Sequence, residues 1–121
     1  MGLRSVTMRA FNCGTKTQLL SGFAGVRLLD QAGNVLPVAI KKGVIASSML
    51  NPKPVDILLT PGQSATAALS WRNMTTQENP ITASFVRMVA ARGLDPQTLP
   101  LTVDLGNTGR IAISAWEPYT P

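Results

Sequence analysis

Apolar side chains recur at every second position along much of this chain, and turn residues cut the runs short. That pairing of features limits the fold more than anything else in the sequence. In SATAALSW, Ala65, Ala67, Leu69 and Trp71 fall on one side and Ser64, Thr66, Ala68 and Ser70 on the other. Successive strand side chains point to opposite faces, so this reads as a half-buried strand. Val6, Met8 and Ala10 alternate in the same way with Ser5, Thr7 and Arg9. Further one-sided sets are Val55, Ile57 and Leu59; Leu101, Val103 and Leu105; and Ile111, Ile113 and Ala115.

Between these runs lie DQAGN (30–34), which reads as a hairpin loop, and TPGQ (60–63), with Pro61 and Gly62 at the two central positions of a type II turn. FNCGT and GNTG are turns of the same kind. Asn51-Pro52 and Asn79-Pro80 disfavour helix around them. The stretch 84–93, SFVRMVAARG, fits both periods: Phe85, Met88, Val89 and Arg92 at helical spacing, or Phe85, Arg87 and Val89 opposite Val86 and Met88 in a strand. Many short strands with frequent turns predict an all-β sandwich or barrel of about seven or eight strands, in a single domain spanning 1–121.

Hydrophobic residues make up 45% of the chain and charged ones 14%, too apolar for disorder. No apolar run approaches the roughly 20 residues that span a bilayer, and GLRSVTMRAFN does not read as a signal peptide. The net charge of +5 invites a polyanion partner, but the cations are scattered singly apart from Lys41-Lys42. That spacing suits solvated strand faces and weighs against nucleic acid. A polyanion reading needs Arg9, Arg27, Lys41, Lys42, Arg87 and Arg110 to converge in the fold.

The chain has no histidine and one cysteine, Cys13. The usual general base, the commonest metal ligand and the Ser-His and Cys-His pairs are thereby excluded. The six acids include no close pair and no calcium-loop spacing. Gly106 to Gly109 lies where a phosphate loop could sit, but RIAISAW after it reads as a strand, and such loops need a helix there. It reads instead as a hairpin between the last two strands. Trp71 and Trp116 read as core aromatics. Asn73-Met74-Thr75 matches a glycosylation sequon, read as chance. These residues supply no catalytic, cofactor-binding or metal site, and the expectation is of no enzyme and no cofactor. The long loop 43–54 is the first candidate for a binding contact, because loops on a rigid scaffold carry such contacts.

Four stretches in series, MGLRSVTMRAFNCGTK (1–16), LSGFAGVRLLDQAGNVL (20–36), ILLTPGQSATAALSWRN (57–73) and VDLGNTGRIAISAWEP (103–118), resemble an actinobacterial family of unknown function found in secreted proteins and lipoproteins. Asn12-Cys13-Gly14, the Leu-Leu-Asp-x-x-Gly hairpin and Trp71-Arg72-Asn73 carry the resemblance. It implies an immunoglobulin-like β-sandwich outside the cytoplasm, secreted or lipid-anchored, with no assigned catalysis. It further implies a binding or scaffolding module of the cell envelope, its ligand unknown. Family members carry residues ahead of the position of Met1, including a first strand and often a cysteine. The resemblance therefore implies that this chain lacks a first edge strand, whether through an internal start or a lost front, and that Cys13 is a free thiol without its partner. If Met1 is the true start, the location is cytoplasmic. An uncovered edge predicts homodimer formation or acceptance of a strand from elsewhere.

Overall fold

The computed structural model describes residues 3–43, 54–72, 81–106 and 109–119. These hold ten strands and no helix. The strands are β1 (Leu3–Phe11), β2 (Gln18–Ser21), β3 (Gly25–Leu29), β4 (Ala39–Lys42), β5 (Asp56–Leu59), β6 (Ser64–Arg72), β7 (Ile81–Val89), β8 (Gln97–Gly106), β9 (Arg110–Ile113) and β10 (Glu117–Pro118). The all-β expectation holds, with more strands than the seven or eight expected. One sheet runs β1-β6-β9-β4, with β10 beside β6. The other layer is the three-stranded sheet β3-β7-β8 and the pair β2-β5.

The core lies between the layers. Met8, Ala65, Ala67, Leu69, Trp71, Ile111 and Ile113 from the first sheet meet Leu20, Val26, Leu28, Ile57, Leu59, Val86, Met88, Val103 and Leu105 from the other strands. The alternation thus does what period two requires in β1, β3 and β5, where one face of the strand is drained of water. β1 and β6 pair antiparallel without a break from Leu3↔Arg72 to Phe11↔Ser64. β6 is central, flanked by β1 on one side and by β9 and β10 on the other. Its supposed solvent face is covered as well, with Ser64 and Ser70 buried, so it is not the half-buried strand its pattern suggested.

Within the stretch 84–93, residues 84–89 resolve as strand and 90–93 as a bend and turn. β7 pairs with β3 and β8, and Val86 and Met88 turn to the core while Phe85, Arg87 and Val89 are only partly covered. Two expected hairpins are corrected. At DQAGN the turn forms: Asp30 Oδ1 accepts from the N–H of Ala32 and Asn34. The pairing beyond it shrinks to one bridge, Leu29↔Val35, and β4 crosses to run parallel with β9. At Gly106–Gly109, β8 and β9 belong to different sheets, so this is a connection between layers. The TPGQ turn forms as expected: Gln63 N–H donates to Thr60 O, and Gly62 takes φ +90°, a conformation that only glycine adopts cheaply. Val55, grouped with Ile57 and Leu59 by pattern, precedes β5 and is half exposed.

Candidate functional site

At one end of the sandwich the turn after β1 is locked to the turn before β6 by a single side chain. Asn12 is buried, and its Nδ2 donates to the carbonyls of Lys16 and Leu59, both at 2.8 Å. Its Oδ1 accepts from Gly14 N–H at 3.0 Å. Its main chain donates to Gln63 O and accepts from Gly62 N–H. Every polar group of this asparagine is thus used, which fixes the two turns in register.

Beside these turns an open groove of about 700 Å³ lies between β5 and the β6–β10 ladder. One wall carries Val55, Asp56 and Leu58, and the other Pro118 and Tyr119. Arg9 crosses from β1 to it. Its Nε donates to Ser64 Oγ at 3.0 Å, and its guanidinium sits 4.2 Å from the centre of the Tyr119 ring. Ser21 Oγ donates to Asp56 Oδ1 at 2.6 Å, tying β2 to β5. The groove therefore offers an apolar wall, a stacked cation on an aromatic ring, and one carboxylate. Its β5 wall continues onto an exposed apolar pair: Leu19 and Leu58 stand directly opposite each other on β2 and β5, 49% and 66% exposed.

A second groove, about 520 Å³, opens between β1 and the β7–β8 side. Ala10, Phe11, Met88 and Leu99 line it, with the exposed thiol of Cys13 at its rim. Farther along the same seam, Arg4 Nε meets Asp104 Oδ2 at 2.9 Å, and Trp71 Nε1 donates to Asp104 Oδ1 at 3.1 Å. Partial burial pushes the Asp104 carboxyl up. The Trp71 N–H, its own backbone N–H and the Arg4 guanidinium outweigh that and hold it below the usual carboxylate range.

The structure sorts the residues singled out from sequence. Trp71 and Trp116 are core, and Trp116 is fully buried with its Nε1 donating to Ala90 O. Cys13 is exposed and makes no disulfide among the described residues. Of the 43–54 loop, residues 44–53 lie outside the described residues, as do Asn107, Thr108, both Asn-Pro pairs and the sequon at Asn73. The six cations do not converge on one face. Arg9, Lys41, Lys42 and Arg110 belong to the first sheet, while Arg27 and Arg87 face each other across β3 and β7. The exposed Leu19–Leu58 pair was missed, although a signal existed: in Leu19-Leu20 and Leu58-Leu59, adjacent leucines in a strand must send one outward.

These features define a β-sandwich domain whose distinctive parts are surfaces and edges. The chain belongs to the family described as a domain of unknown function (DUF4232), which matches residues 1–117. No curated protein and no solved structure matches it.

Proposed function

We propose that this protein is a non-enzymatic binding or scaffolding module of the cell envelope, working outside the cytoplasm, and that it meets a protein partner through the Leu19–Leu58 patch and the groove beside it. The exposed pair of facing leucines carries this reading. Two large apolar side chains side by side in water leave burial that only a partner can complete, and apolar patches rimmed by polar groups mark protein contacts. Tyr119 with its stacked Arg9 supplies the aromatic and guanidinium chemistry favoured at the centre of interfaces. The absence of histidine supports a non-catalytic role. The location outside the cytoplasm, secreted or lipid-anchored in an actinobacterial envelope, rests on the resemblance read from the sequence.

The test is made in the native host with a tagged chain carrying a photo-crosslinking residue at Leu58 or, as a control, at Lys41 on the far edge. Recovery in the envelope fraction, with one partner captured from position 58 and lost when Leu19→Asp is added, is the expected result. Cytoplasmic retention, or equal capture from both positions, overturns it. Retention on a polyanion that falls steeply with salt would move the function to the scattered cations instead.

A further inference from the structure

We infer that the outer edge of β1 pairs antiparallel with β1 of a second copy of this chain, about a two-fold axis at Thr7. The inference is independent of the Leu19–Leu58 patch and rests on which way the backbone of β1 points. Ser64 and Ala68 are the register partners of Phe11 and Thr7. Ser64 O accepts from Tyr119 N–H. Ala68 O accepts from Ser114 N–H, and Ala68 N–H donates to Ser114 Oγ. Both residues therefore turn their main-chain groups away from β1. In an antiparallel ladder the two members of a pair either exchange bonds or both turn away. Phe11 and Thr7 must then turn outward, and by alternation so must Leu3, Ser5 and Arg9. The bond from Asn12 N–H to Gln63 O, one position beyond, confirms that even positions face β6. Among the described residues no strand lies beyond β1. Five residues thus present N–H and C=O to an edge that no other described strand covers.

The other edges carry devices that blunt pairing, and β1 does not. β3 has five residues, and the segment Val35–Leu36 bonds along its outer side. β4 has four residues, two of them Lys41 and Lys42. β2 and β5 are also four residues long. β8 contains Pro100, and its ladder with β7 shifts register twice. β1 runs nine residues with unbroken pairing to β6 and no proline.

The sequence of β1 is also complementary to itself in one register. Pairing about Thr7 sets Leu3 opposite the partner's Phe11, Ser5 opposite the partner's Arg9, and Val6 opposite the partner's Met8. Leu3 and Phe11, 41% and 54% exposed, thereby cover each other at both ends of the strand. No cation faces a cation, and each Arg9 is drawn back over its own β6 to Ser64 and Tyr119. Registers shifted to bring Arg4 onto Arg4, Arg9 onto Arg9, or Arg4 onto Arg9 oppose like charges.

The test uses the whole chain in sedimentation equilibrium, together with Thr7→Lys and, in a Cys13→Ser background, Thr7→Cys and Ser5→Cys. The native chain is expected at twice the chain mass. Thr7→Lys, which places two ammonium groups across the axis on an exposed face, is expected at the single-chain mass and still to melt in one cooperative transition, lowered only by the lost association. With an added oxidant, Thr7→Cys is expected to form a disulfide-linked dimer, and Ser5→Cys, which faces Arg9 of the other copy, is expected to remain unlinked. A native chain at single mass at its highest soluble concentration overturns the inference. So does a dimer that survives Thr7→Lys, or one that Ser5→Cys links as readily as Thr7→Cys.

Discussion

Asn12→Asp is the sharpest test of the way the two turns are joined. The change keeps the shape of the side chain and the acceptor for Gly14 N–H. It replaces the amide that donates to Lys16 O and Leu59 O with an oxygen that faces both carbonyls. Each buried acceptor left without a donor costs about 1–3 kcal/mol, and the bond to Leu59 O lies in buried surroundings. A carboxylate at a site 6% exposed adds a desolvation cost. The sum at neutral pH is about 3 kcal/mol. For a chain of this length 1 kcal/mol moves the melting midpoint by about 4 °C, so the fall is roughly 12 °C. The pH dependence has a definite sign. A carboxyl disfavoured in the charged form has a folded pKa above its unfolded value, near 4. The penalty is therefore full above the folded pKa and fades as the pH falls toward the unfolded one, where the protonated acid also regains a donor. Urea denaturation of the native chain, Asn12→Asp and Asn12→Ala at neutral and acidic pH measures this directly. The gap between Asn12→Asp and the native chain should narrow in acid, while that for Asn12→Ala should stay constant. A neutral-pH loss below about 0.5 kcal/mol, within the range of ordinary surface substitutions, or a gap for Asn12→Asp that does not narrow, would refute the reasoning.

Trp116→Phe should cost about 2–4 kcal/mol, because it opens space in the core and strips Ala90 O of its donor; thermal melts check it. Asp104→Asn should remove a contribution that exists above the ordinary carboxylate pKa and is lost as the pH falls through the depressed folded value. Its stability difference from the native chain should therefore be largest near neutrality and vanish in strong acid. Gly62→Ala should destabilise by about 1 kcal/mol through its positive φ alone, since no atom lies within 4 Å of the added methyl; denaturant midpoints test it. Cys13 should react fully with a thiol reagent in the native state, and Cys13→Ser should leave the melting temperature unchanged, because the thiol is exposed.

The strands that bury one face were legible because burial writes itself into the sequence as alternation. Val6, Met8 and Ala10, or Val103 and Leu105, could not be hidden in any other regular way. The stretch 84–93 was not settled by pattern, since apolar residues there satisfy both periods. Neighbours on both sides decide it, and neighbours are not a local property. For the same reason the parallel pairing of β4 with β9 was out of reach, and DQAGN looked like a longer hairpin than it is. The burial of Ser64 and Ser70 follows from the central place of β6, which its own residues do not reveal. At the candidate site, the leucine doublets were visible but not their meeting across two strands. The meeting of Arg9 with Tyr119 depends on β10 returning to β6 from the far end of the chain.

The pairing of early strands with late ones also governs when this protein can exist as a folded object. β1 waits for β6, and β4 waits for β9, so the first sheet cannot close until Ile113 has joined it. A chain leaving a ribosome, or threading a narrow channel with its amino end leading, has no helix among the described residues to form on the way. Strand pairings that span most of the sequence form slowly, because distant segments must find each other first. Such a chain stays pliable while it is being moved and sets only after its last strands arrive. During that interval β1 is a bare ribbon, open to whichever strand reaches it first.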